Sequence, residues 1–78
     1  MATGLQIRAA RAALNWSIER LALNSGVSVR TIIRYEDQNG PPASRSGNLE
    51  RLVTTLEQAG IEFVGTPDDA PGIRLHAR

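Results

Sequence analysis

No cysteine occurs among the 78 residues, which excludes structural disulfides and thiolate metal sites alike. Lysine is missing too, so all nine basic residues are arginine. Arginine's planar fork favours bidentate contact with guanine or phosphate, although genomic base composition leaves the same mark. The single histidine, His76, lies near a terminus with no ligand set beside it, so neither a metal site nor a general base is implied. There is no cluster of histidines and carboxylates and no phosphate-binding glycine loop. An enzyme is therefore not expected, nor is any cofactor. No segment approaches the ~20 apolar residues needed to cross a bilayer, and the first residues lack the unbroken apolar stretch of a signal peptide. A cytoplasmic protein with no membrane partner is the expectation.

This length allows one small domain with a thin core, since such a chain buries only about 60% of its unfolded surface on folding. A thin core without disulfides makes self-association a reasonable expectation, because a second copy can cover apolar side chains that one protomer leaves exposed. The net charge of +1 hides an asymmetry. Residues 1–45 hold six arginines against three acids, whereas residues 46–78 hold three against five. Positive charge gathered in the first part points to a polyanionic partner there.

Leu5 to Leu14 reads as a helix with Ile7, Ala10 and Leu14 on one face. Ser17 is suited to cap a second helix whose inner side is Leu21 and Ala22, and Asn24-Ser25-Gly26 stops it. Ser28 is the cap of a third helix running to about Gln38, with Ile32 and Tyr35 inward. Asn39-Gly40-Pro41-Pro42 then breaks the chain, with Gly40 expected in the left-handed position after the helix. Asn48 is expected to cap a fourth helix carrying Leu49, Leu52, Val53 and Leu56, which ends at Gly60. Beyond it the period falls to two, with Ile61 and Phe63, then Ile73 and Leu75, marking two short strands. Prolines, aspartates and glycines between Gly65 and Gly72 predict a longish hairpin loop, and Asp68 and Asp69 are turn residues. A lone hairpin is marginal in water, so it must lie on the helices or pair with another chain.

The segment Ser17 to Gly40 carries the functional signal. Two short helices meet at Asn24-Ser25-Gly26-Val27. Ala22 is small enough for a close crossing, Gly26 permits a positive φ, and Val27 and Ile32 seal the junction. That is a helix-turn-helix, and it frees the start of the third helix to enter a major groove about 12 Å wide. Ser28, Val29, Arg30, Ile33, Arg34 and Asp37 then face outward.

On the strings IRAAR, WSIERLALNSGVS, TIIRYE and NLERLVTTLEQAG, the chain resembles the phage-repressor, Cro/CI or Xre-type, helix-turn-helix family over roughly residues 4–60. The resemblance implies a mainly α, lambda-repressor-like bundle of four to five helices that binds operator half-sites as a dimer. It also implies a structural ion pair between an arginine late in the first helix and a glutamate late in the third, here Arg11 and Glu36. Ile18 departs from the family, standing where relatives often carry a glutamine that touches or supports the DNA contact. Ile33 departs too, being apolar where a small polar residue is usual; a thymine methyl or a protein partner would suit it.

These readings place residues 1–60 in the DNA-binding unit and 61–78 in a C-terminal β-hairpin, whose Ile61, Phe63, Ile73 and Leu75 are dimer-contact candidates. Base-contact candidates are Ser28, Val29, Arg30, Ile33 and Arg34, with Arg–guanine pairing the natural use of Arg30 and Arg34. Ser17, Thr31, Asn39 and Arg45 are phosphate-contact candidates, Ser17 and Ser28 being helix caps first. Trp16 and Tyr35 read as core rather than as stacking platforms. The expected function is a transcriptional regulator, more often a repressor, that binds double-stranded DNA as a homodimer on a near-palindromic operator. The alternative is a protein-interaction module, an antitoxin or antiactivator that keeps this fold and uses Ile18 and Ile33 to bind a protein.

Overall fold

A computed structural model describes residues 2–43 and 47–76. In chain order the elements are α1 (Gly4–Ala13), α2 (Ile18–Ser25), α3 (Val29–Glu36), α4 (Asn48–Gln58), β1 (Ile61–Thr66) and β2 (Asp69–Leu75). The fold is thus a mainly helical bundle closed by an antiparallel hairpin.

Each of the first three helices begins with a hydroxyl that satisfies a backbone N–H left free by the first turn. Thr3 caps α1 in a reciprocal box with Gln6, Ser17 accepts from the Arg20 N–H, and Ser28 accepts from the Thr31 N–H. The fourth helix starts differently from the expectation for Asn48. Gly47 occupies the cap position at φ 75°, makes no side-chain cap bond, and leaves Asn48 as the first helical residue. The helix is held instead by its buried face, Leu49, Leu52 and Leu56. Those leucines join Ile7, Ala10, Leu21, Val27, Ile32, Tyr35 and Ile61 in a single core.

The turn between α2 and α3 needs a residue that tolerates a positive φ. Gly26 supplies it at φ 77°, and its N–H closes on the Ala22 carbonyl at 2.9 Å. Gly4 answers a different demand, close approach. A β carbon there would stand 2.0 Å from the Tyr35 carbonyl oxygen and 2.1 Å from that of Gln38. The end of α3 therefore lies directly on the start of α1. Gly40 departs from the expected left-handed conformation, since its φ is not positive. The chain after α3 instead turns back onto α1, and the Gly40 carbonyl accepts the Gly4 N–H at 2.9 Å. With α3 ending at Glu36 and its C-cap Asp37 in a right-handed conformation, no left-handed residue is needed.

Arg11 ties three segments together. Its Nε and Nη2 donate to the two carboxylate oxygens of Glu36, each at 2.9 Å, while Nη1 donates to the Trp16 carbonyl at 2.9 Å. The first pair fixes α1 to α3 and the third bond fixes the turn into α2. Glu36 is 6% exposed and Arg11 20%. Hydrogen bonding to Glu36 raises the arginine's pKa above its ordinary value, against the opposing effect of burial.

The hairpin is tighter than its composition suggests. Thr66 pairs with Asp69 across a turn of Pro67 and Asp68, so most of the anticipated loop is strand. A bulge between Val64 and Thr66, with Gly65 at φ 76° and Ala70 at φ 51°, absorbs the irregularity that Pro71 and Gly72 introduce into the apolar pattern. Gln6 holds this hairpin to the bundle. Its amide nitrogen donates to the Val64 carbonyl at 3.0 Å and the Gly72 carbonyl at 2.8 Å, while its oxygen accepts the Thr3 N–H. At 3% exposure this amide is buried with every contact made.

Replacing Gln6 by Met keeps the stem but leaves two strand carbonyls and a helix-cap N–H without their partner. The expected loss is about 2 kcal/mol of unfolding free energy, read from urea denaturation, with faster amide exchange in the hairpin. Arg11→Met leaves Glu36 buried without its countercharge and is expected to cost about 3 kcal/mol, most of which returns when Glu36→Met is added. A double variant no more stable than the single one would show that the pair contributes through packing rather than charge.

Candidate nucleic-acid interface

The candidate surface is built from the underside of α3 upward. Ile32, Tyr35 and Glu36 are buried and lock the helix to α1 and the core. At 3.6 residues per turn their fixed positions force residues 30, 33, 34 and 37 to the opposite side. Arg30, Ile33, Arg34 and Asp37 are exposed there, with Ser28 exposed at the cap and Val29 half-buried at the edge. The structure thus brings Ser28, Val29, Arg30, Ile33 and Arg34 onto one outward surface.

The arginines of this surface are held differently. Arg34 lies over the Tyr35 ring at 5.9 Å, so part of its freedom is already lost. Arg30 makes no ion pair or hydrogen bond among the described residues. On α2, Arg20 stacks over Trp16 at 5.3 Å from the ring centroid. Trp16 itself packs against the core. Arg20 was not singled out from sequence, because an arginine one turn into a helix looks like any solvated charge until the indole beneath it is seen.

The phosphate-contact candidates divide. Ser17 and Ser28 have their hydroxyl oxygens engaged as caps, at 3.0 Å from the Arg20 nitrogen and 3.2 Å from the Thr31 nitrogen. The Ser28 hydroxyl also donates to Thr31 Oγ1 at 3.0 Å, leaving Thr31 half-buried beside the cap. Asn39 does not join them. It lies past the far end of α3, a helix about 12 Å long, where its side-chain oxygen accepts from Arg8 Nη2 at 3.4 Å. Arg8 also donates to the Glu36 carbonyl, a role its sequence position did not reveal. Arg45 lies outside the described residues.

Ile18 is partly buried and packs against the core. The exposed apolar residue of α2 is Leu23, at 84%, which the sequence reading passed over.

Of the four hairpin residues, Ile61 is 3% exposed and belongs to the protomer's own core, while Phe63 and Ile73 are partly buried against it. Only Leu75, half exposed, is turned to solvent. On the hairpin's polar side Glu62 lies 2.7 Å from a ring nitrogen of His76 and 3.4 Å from Arg74. The histidine contact, with Arg74 adding to it, holds the Glu62 pKa below its ordinary value. Among the described residues no group of three or more metal-binding side chains gathers, and no helix is long and apolar enough to cross a membrane.

No curated protein matches the chain. A family model described as Helix-turn-helix matches residues 7–52, which covers more than half of the sequence and runs from Ile7 in α1 into α4. With the α2–α3 junction, the Arg11–Glu36 pair and the outward face of α3 in place, this chain belongs to the Cro/CI or Xre-type helix-turn-helix family of DNA-binding transcription regulators.

Proposed function

We propose that this protein is a sequence-specific repressor that binds a near-palindromic operator as a homodimer. One α3 helix enters the major groove of each half-site. The observation that carries the reading is the outward face of α3, where exposed arginines rise from a helix locked underneath by Ile32, Tyr35 and Glu36. A rigidly held helix can hold a guanidinium in register with guanine O6 and N7, and each such pair is worth roughly 1 to 3 kcal/mol of discrimination. Phosphate contacts supply most of the remaining affinity and make it fall with salt. Repression needs no further surface, since occupancy of an operator is enough to exclude polymerase.

A dimer explains why two half-sites would be read, with recognition helices about 34–36 Å apart. The longest dimension of the protomer is 29 Å, so two copies side by side span that distance. Leu75 is the hairpin side chain offered to a second copy. Leu75→Glu is expected to shift the particle from dimer to monomer in sedimentation; a variant that stays dimeric would move the interface to the helices.

A second reading is a protein-binding module on the same fold, for which Leu23, 84% exposed on α2, is the contact to test. Retention on DNA-cellulose at moderate salt separates the two. For the DNA reading, sites are selected from random-sequence duplexes at fixed salt and then titrated. Arg30→Ala is expected to weaken the selected site about tenfold while changing random DNA little. Equal weakening of both would remove Arg30 from base reading.

A further inference from the structure

The outward face of α3 has two chemistries side by side. Val29 and Ile33 form one row, four residues apart, and Arg30 and Arg34 form the next. Residues three apart are neighbours on a helix surface, so Ile33 stands beside Arg30. Ile33 is 52% exposed and takes no part in the core, while Ile32 next to it is fully buried. The underside of the helix is already filled without it, and the outer half of the isoleucine is left available to a partner.

The adjacent arginines select which partner: Arg30 and Arg34 are exposed beside the isoleucine, Asp37 lies one turn further along its own row, and exposed positive charge toward the start of the helix suits a polyanion. The C5 methyl of thymine is the apolar group on the base edges in the major groove, and guanine O6 and N7 are the acceptors an arginine takes there. Ile33 and Arg30 lie side by side on the helix surface, so the base edges they reach in the groove lie close together. Among the described residues the Arg30 side chain has no hydrogen bond, ion pair or ring contact, whereas Arg34 leans on Tyr35.

We propose that Ile33, flanked by Val29, recognises the C5 methyl of a pyrimidine in the base pair next to the guanine taken by Arg30. This rests on the DNA-binding reading above and names the chemistry it selects. Thymine carries that methyl, and so does a cytosine methylated at C5. The chain thus distinguishes DNA by a single methyl group at that step.

The test uses the full chain and a site selected from random-sequence DNA. Each thymine is replaced in turn by deoxyuridine, which removes only the methyl. At one position in each half-site affinity is expected to fall about fourfold, the effect of one buried methyl. Ile33→Ala is expected to bind the thymine and uracil duplexes equally while still requiring the neighbouring guanine. Thermal unfolding of Ile33→Ala should match wild type, because the side chain is outside the core. Specific binding that is indifferent to every uracil substitution, or thymine preference that survives in Ile33→Ala, would overturn the proposal and leave the repressor reading standing. Absence of any specific DNA binding would overturn both.

Discussion

Arg11 stands on α1 where the turn into α2 and the end of α3 meet it, and its side chain bonds to both. The two bonds to Glu36 are parallel and charge-assisted, so they set an orientation as well as a distance. The bond to the Trp16 carbonyl sets where α2 begins. Glu36 lies on the same helix that presents Arg30 and Ile33, so the ion pair fixes the rotation of α3 about its own axis. A turn of α3 by one residue would carry Ile33 into the buried place of Ile32 and Ile32 to the half-buried place of Thr31. The buried pair, the Tyr35 contact with α1 and the Gly4 close approach all oppose that slip.

Much of this was legible from residue types because it rests on local chemistry. Ser17, Ser28 and Gly26 mark the helix-turn-helix through capping and a positive φ, and these signals depend only on near neighbours in the chain. The parts that were not legible depend on distant groups. Gln6 reads as an ordinary polar residue on a helix, yet its amide binds two carbonyls 58 and 66 residues away. Nothing in its surroundings along the sequence announces those acceptors. Asn48 and Gly40 misled for a related reason: each fits a local rule, but the chain met the same need by other means. Gly47 begins α4 without a side-chain cap, and Gly40 spends its carbonyl on Gly4.

The candidate site was read in the same uneven way. The outward residues of α3 follow from helical period once Ile32 and Tyr35 are inward, and the structure places them together. Asn39, a phosphate-contact candidate with Ser17 and Thr31, is separated from the start of α3 by the length of that helix. Ile18 looked like an exposed apolar anomaly because the family pattern is polar there, whereas it is partly buried and packed against the core. The hairpin candidates share one alternation in sequence, yet Ile61, Phe63 and Ile73 turn that alternation toward the helices and Leu75 projects beyond the core.

Along α3 the side chains that hold and the side chains that meet solvent interleave, and Arg34 over the Tyr35 ring links the two sets. Ile32, Tyr35 and Glu36 spend their interactions below; Arg30 and Ile33 spend none there. On the proposed reading, the outer row can change what the helix recognises while the core that holds it is left as it is, so specificity and stability are carried by separate sets of residues.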